Sequence, residues 1–243
     1  MDRDYYELFK ELPQFHRLSE LHEELSPEPT DWGAQLEDLQ FMHSQLLPGM
    51  NSLETGCGRS TVMFACAETN HWCVTPASGE AERVSRFCAA NDICTDRIHF
   101  VIGYSQDVLP LLDQSVPLHL VFIDGAHFFP HPILDWYFVQ ARIVVGGLCV
   151  LDDLRIPTVR MLFEFLKTDE NWSLVRIMGD TGYFKKTGDA KNLNDWQDQR
   201  YNAAFPDYSF LPASERVKRN LASNVRRAKW AIKRRIPRRT VKP

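Results

Sequence analysis

The run Ser52-Leu53-Glu54-Thr55-Gly56-Cys57-Gly58-Arg59-Ser60-Thr61 constrains this chain more than any other stretch. Ser52 and Leu53 lead in as a strand, Glu54 closes it, and Gly56 and Gly58 turn the backbone. Ser60 and Thr61 then open the apolar stretch Val62–Ala67, which reads as a helix. Glycines at such a turn let the main chain approach a ligand where any Cβ would collide. Strand, tight turn and helix start in immediate succession make the corner of an α/β sheet at which nucleotides bind. A phosphate loop or a dinucleotide site would add a third glycine or a Gly-Lys-Ser/Thr ending, and neither stands here. Glu54 stands before the turn instead, which suits a ligand with a cationic amino-acid portion and no phosphate.

The segments around this corner alternate. Residues 4–24 have helical apolar spacing broken by Pro13, which predicts two short helices, and Ser26–Asp31 reads as a loop. A helix is expected over Gly33–Leu46, a strand over His71–Thr75, a helix over Ser78–Asn91 and a strand over Ile98–Gly103. Ser105–Leu112 reads as a helix or turn, and Leu118–Asp124 as a strand apolar enough to be buried on both faces. His131–Ala141 is expected to be helical, Gly146-Gly147 a turn, Leu148–Leu151 a strand and Thr158–Lys167 a helix. Trp172–Met178 and Tyr183–Lys186 read as a β-hairpin turning at Gly179–Gly182. Alternating strands and helices argue for a mainly parallel sheet covered on both faces.

The pattern Glu54-Thr-Gly56-Cys-Gly58 with Ser60 and Thr61, and the element order over residues 33–188, resemble the class I S-adenosylmethionine-dependent methyltransferases. The resemblance implies an α/β, Rossmann-like class I methyltransferase fold: a mainly parallel seven-stranded sheet with an antiparallel terminal hairpin and helices on both faces. It divides the chain into an N-terminal helical cap (1–48), an S-adenosylmethionine-binding domain (49–188) and a C-terminal extension (189–243). On this resemblance the cofactor-binding positions are Glu54, Gly56, Gly58, Ser60, Thr61, Thr75, Ser78, Tyr104, Ser105 and Asp124. The chain departs from the commonest pattern at the second strand end, where Thr75-Pro76 stands in place of an acidic residue for the ribose hydroxyls. Ser78 or Glu80 would have to substitute.

The later strand ends carry the chemistry. The fourth ends in Asp124-Gly-Ala-His127 and the fifth in Asp152-Asp153. Adjacent carboxylates repel unless something cationic sits among them, and hard oxygen donors suit Mg²⁺, Mn²⁺ or Ca²⁺. The spacing resembles the metal-dependent O-methyltransferases, in which Asp124, Asp152 and Asp153 would be the metal ligands. The alternative is that Asp152 or Asp153 caps the next helix while Asp124 contacts the cofactor. His127, with Asp124, is the candidate catalytic pair, because imidazole titrates near neutrality and can take a proton from a hydroxyl. His131 is a second candidate base. Phe128-Phe129-Pro130, Trp136 and Tyr137 could line an acceptor pocket, although core packing is the expectation for most of these rings.

Charge is unevenly spread. From Arg216 onward there are 12 Lys and Arg and no acidic residue, leaving 16 basic against 32 acidic residues on positions 1–215. A basic amphipathic helix is expected over 214–236, N-capped by Ser214, with Val217, Leu221, Val225, Ala228 and Ile232 on one face. It would lie on the acidic body, meet an anionic membrane surface, or bind nucleic acid. The six cysteines lack a Cys-x-x-Cys pair, no apolar run reaches the ~20 residues of a membrane span, and no signal-peptide segment opens the chain. These features point to reduced thiols and a cytoplasmic protein, peripheral to the inner face of a membrane if the tail binds there. The expected activity is O-methylation of a small-molecule or glycan hydroxyl with divalent-metal assistance. The alternatives are an RNA methyltransferase that uses the tail, and a non-catalytic S-adenosylmethionine-binding scaffold; a homo-oligomer fits any of them.

Overall fold

Runs rich in β-branched, aromatic and leucine residues pair into one seven-stranded sheet in the computed structural model, which describes residues 5–16, 33–188, 199–204 and 207–235. The strands are β1 (Asn51–Thr55), β2 (Asn70–Thr75), β3 (Ile98–Ile102), β4 (Leu118–Ile123), β5 (Ile143–Leu151), β6 (Trp172–Met178) and β7 (Thr181–Lys186). Their order is β3-β2-β1-β4-β5-β7-β6, with β1 to β5 parallel and β7 antiparallel to both neighbours. Between β1 and β4 the chain switches from building one half of the sheet to building the other. The carboxyl ends there therefore open into a crevice.

Side-chain alternation sends each strand's residues to two separate cores. Leu120, Phe122 and Tyr183 join Phe9, Leu39, Met42 and Phe64 on one face. Val121, Ile123 and Phe184 join Trp136, Leu162 and Phe163 on the other. The first face is covered by α1 (Tyr5–Lys10), α2 (Leu36–Ser44), α3 (Arg59–Cys66) and α4 (Ser78–Ala90). The second is covered by α6 (His131–Val139) and α7 (Pro157–Thr168), while the short α5 (Ser105–Val108) runs into a 3₁₀ turn at Leu109–Leu111. Phe64, Phe122 and Phe184 are fully buried. Each such side chain stabilises the fold by roughly 1.5–3 kcal/mol relative to leaving it in water. Phe9, Leu12, Phe15, Leu39 and Met42, from the described part of residues 1–48, pack into the first core.

Several boundaries differ from the sequence reading for local reasons. The glycine pair 146–147 does not precede β5 but lies inside it. Leu118 and Leu120 of β4 pair with Ile143 and Leu148, so β5 carries three extra residues as a bulge, with Gly146 at φ +93°. The hairpin turns on Gly179 and Asp180 alone, because Thr181 and Gly182 already pair with Met178 and Ile177. Helix α3 starts at Arg59, earlier than expected, because the Thr61 hydroxyl accepts the Gly58 N–H at 2.9 Å. The second of the two helices expected over 4–24 and the loop at 26–31 lie outside the described residues. All six cysteines are free, and all but Cys94 are buried.

Residues 192–243 form a second compact unit, in which α8 (Arg200–Ala204) and α9 (Ala213–Arg235) are described. Pro212 accepts the N–H groups of Glu215 and Arg216, so α9 begins at Ala213 and Ser214 sits within its first turn rather than capping it. Val217, Leu221 and Val225 are exposed along α9. No described helix is long and apolar enough to cross a membrane.

Candidate active site

The corner is held by main-chain bonds on both sides. Gly56 donates its N–H to Val74 O on β2 at 2.9 Å, and Asp124, just past β4, donates to Thr55 O at 3.0 Å. Gly56 has φ +103°, and a Cβ there would lie 2.4 Å from Asp124 O, so only glycine fits between the strand ends. Gly58 is extended at φ 177°, and a Cβ there would meet only His16 Nε2, at 3.3 Å.

Glu54 is 1% exposed and is held from behind. Its Oε1 accepts hydrogen bonds from the Thr61 hydroxyl and from His71 Nε2, the latter at 3.1 Å. Its Oε2 is buried and has no partner among the described residues. A buried carboxylate oxygen left bare costs stability unless a ligand completes it. With the glycine turn beside it, Glu54 therefore fits the ammonium of a cofactor's amino-acid portion. Ser60 and Thr61 are buried at the start of α3.

Thr75 at the end of β2 faces inward. Its hydroxyl donates to Glu80 Oε2 at 2.9 Å and accepts the Ala77 N–H at 3.1 Å. Glu80 Oε1 meets His16 Nδ1 at 2.7 Å. Glu80, in the first turn of α4, is thus buried and bonded to both Thr75 and His16. Ser78 is exposed and lines an open groove of about 570 Å³ with Phe100 and Ile102. Tyr104 is also exposed. Sequence reasoning missed Asp135 of α6, which is buried near the hydroxyls of Ser105 and Thr55; burial raises its pKa and these hydroxyls pull it back.

Asp124, His127 and Asp153 converge, with one ligand-capable atom from each lying within 4.8 Å of the others. His127 Nε2 is 3.2 Å from Asp153 Oδ2 and 3.8 Å from Asp124 Oδ1. Asp153 adopts φ +58°, an uncommon left-handed conformation that places it in this group, and Arg155 Nη2 holds its Oδ1 at 2.8 Å. Burial, then the charges of Asp152, Asp153, Glu54 and Asp38, raise the Asp124 pKa well above the carboxylate range. Burial lowers the His127 pKa, with Asp153 and Asp152 opposing the shift.

The structure does not bring Asp152 into this group. Its Oδ1 accepts from the Thr181 hydroxyl at 2.7 Å and from the Asp153 N–H at 2.8 Å. Behind it lies Asp38 of α2, buried and bonded to Thr181 at 3.0 Å and to the Tyr183 hydroxyl. His131 is not in the group either; its Nδ1–H donates to Phe128 O at 3.3 Å. Phe128, Phe129 and Tyr137 are exposed rather than packed into the core, whereas Trp136 is buried. Two carboxylate oxygens and one imidazole nitrogen, converging at adjoining strand ends, fit a divalent cation.

The strand order with its antiparallel β7 and the glycine corner at the switch point are the architecture of the class I S-adenosylmethionine-dependent methyltransferases. Residues 53–154, which hold the glycine corner and both acidic strand ends, match a family profile described as a methyltransferase domain. Among solved structures it resembles TomG, an O-methyltransferase of Streptomyces achromogenes involved in tomaymycin synthesis and solved with S-adenosylmethionine: TM-score 0.56 and 18% identity, over 65% of this chain and 83% of that one. It also resembles the O-methyltransferase NovP, with TM-score 0.59 and 19% identity over 77% of this chain and 100% of that one. A candidate caffeoyl-CoA O-methyltransferase of Staphylococcus aureus gives TM-score 0.56 and 12% identity over 76% and 93% of the two chains. No curated protein is significantly similar in sequence.

Proposed function

We propose that this methyltransferase acts on a hydroxyl oxygen of a small-molecule or glycan acceptor, with a hard divalent cation among its acidic strand ends. The observation that carries the reading is the convergence of Asp124, His127 and Asp153 beside the glycine corner. Glu54 Oε2 would take the donor's ammonium, and the corner would take its main body. The donor's sulfonium already makes its methyl group electrophilic, so the protein has to align and deprotonate a nucleophile, and alignment alone is worth ~7–11 kcal/mol. His127 suits the deprotonation because burial favours its neutral, proton-accepting form. Asp124 and Asp153 would hold the cation, with Asp152 bonded to Thr181 behind them. A divalent ion there would lower the pKa of a bound hydroxyl and orient it. The exposed rings of Phe128 and Phe129, one and two residues after His127, offer an apolar face to an acceptor. The kinship of fold with O-methyltransferases supports the same reading.

The test is incubation with methyl-labelled S-adenosylmethionine and fractionated small-molecule extracts, read by mass spectrometry for products heavier by one CH₂. The expected product is an O-methyl ether, formed with Mg²⁺ and lost with EDTA. Labelled N-methyl products alone would overturn hydroxyl transfer, and EDTA-insensitive turnover would remove the cation from the mechanism.

The tail supports a second, separable reading as a contact with an anionic membrane surface. Exposed Val217, Leu221 and Val225 give α9 an apolar stripe among basic residues. An RNA substrate is less well supported, because a phosphate-binding groove should be basic and residues 1–215 carry 32 acidic against 16 basic residues.

A further inference from the structure

Behind Glu54 a buried chain of hydrogen bonds fixes where its protons lie. The Phe64 carbonyl can only accept, so the Thr69 hydroxyl, 3.2 Å away, donates to it. Thr69 Oγ1 must then accept from the Ser52 hydroxyl at 2.9 Å. With its proton used there, Ser52 Oγ must accept from His71 Nδ1–H at 2.8 Å. At the other end of the ring, His71 Nε2 faces Glu54 Oε1 at 3.1 Å. Without a proton between them two lone pairs would meet. The Thr61 hydroxyl cannot relieve the clash, because it accepts from Gly58 N–H and donates to the same Oε1. The pair therefore carries one proton beyond a neutral imidazole and a carboxylate. Placed on the ring, that proton makes Nε2–H a donor to Oε1. The His71 ring also lies flat on Phe64, with centroids 4.0 Å apart and planes 14° from parallel, as suits a cation on a phenyl face.

We propose that His71 is a positioning residue of the donor site: a fully buried imidazolium that occupies Glu54 Oε1 and leaves Oε2 as the acceptor for the ammonium of the donor's amino-acid portion. This rests on the reading of the corner as an S-adenosylmethionine site. His71 is 0% exposed, and Glu54 Oε2 has no partner among the described residues. A bare carboxylate at this depth would be costly in the empty protein, and the imidazolium offsets that cost without using the oxygen the ligand needs.

Two measurements test it. In ¹⁵N-histidine-labelled protein at pH 8, with the His71 signal identified by its loss in His71→Phe, both ring nitrogens are expected to carry a proton; a single protonated nitrogen overturns the proposal. Calorimetry then compares S-adenosylhomocysteine with 5′-methylthioadenosine, which lacks the amino-acid portion. His71→Phe is expected to bind the first roughly tenfold or more weakly and the second within about twofold of the unaltered protein. Equal binding of the first ligand, or equal loss of both, overturns the positioning role. If the unaltered protein binds neither ligand, the donor-site reading itself fails.

Discussion

Two glycines that look alike in the sequence have different duties. Gly56 combines a left-handed backbone with a Cβ position 2.4 Å from Asp124 O, whereas Gly58 is extended and faces only the end of the His16 side chain. Gly56→Ala is expected to cost at least about 2 kcal/mol in chemical denaturation and to abolish S-adenosylhomocysteine binding. Gly58→Ala should cost less than about 1 kcal/mol, because the imidazole can yield. Equal losses in the two variants would contradict the close packing of Gly56 on Asp124. The sequence marked both glycines and Glu54 because a turn needs local residue types in a row. It did not mark His71, which lies 17 positions from Glu54 and reads as an ordinary β2 residue. Nor did it separate Asp152 from Asp153, since their divergence depends on the left-handed Asp153 and on a hydroxyl from β7.

Elements distant in the chain are joined at the site by one carboxyl group. Asp38 on α2 contacts Thr181 and Tyr183 on β7, and Thr181 also touches Asp152. The single Thr181 proton cannot serve both carboxylates, so one of them must be protonated for both contacts to be hydrogen bonds. Asp38 suits that role, because burial, less the help of Tyr183, raises its pKa from 3.8 to about 6. A carboxyl group raised on folding stabilises the fold while protonated. Its contribution is whole below 3.8 and is lost as pH rises through about 6. The loss amounts to about 3 kcal/mol. Asp38→Asn copies the protonated form: its carbonyl can accept from Tyr183 and its amide can donate to Thr181. In urea denaturation it should match the unaltered protein at pH 4 and exceed it at pH 8 by up to about 3 kcal/mol. Parallel stability curves across that range would refute the assignment. Periodicity placed α2 correctly as a helix, but a carboxylate near its start reads as a solvated helix end until β7 packs against it.

Across the whole molecule, all the buried residues of both cores fall between Phe9 and Phe184, and the basic tail belongs to the other compact unit. A chain ending at Pro212 should therefore melt within a few degrees of the full chain and retain methyl transfer, since it keeps every core and site residue. Liposome co-sedimentation should separate the two. Full-length protein is expected to pellet with phosphatidylserine-containing vesicles and the truncated chain to stay in the supernatant. Equal pelleting would rule out tail-mediated binding. The sheet order was legible because each strand and helix announces itself locally. The exposure of the rings at Phe128, Phe129 and Tyr137 was not, because it depends on how their loop and helix settle on the sheet.

The bulge in β5 bears on how such a chain tolerates changes in length. Residues 144–147 sit between the pairs Leu118–Ile143 and Leu120–Leu148 without ladder partners, so a codon gained or lost there alters a looped-out stretch and leaves the later register in place. Between Leu148 and Asp153 no such slack exists. One residue more or fewer would turn every following side chain to the opposite face and carry the carboxylates away from Asp124. Insertions and deletions should therefore accumulate on the near side of Leu148 and be purged beyond it.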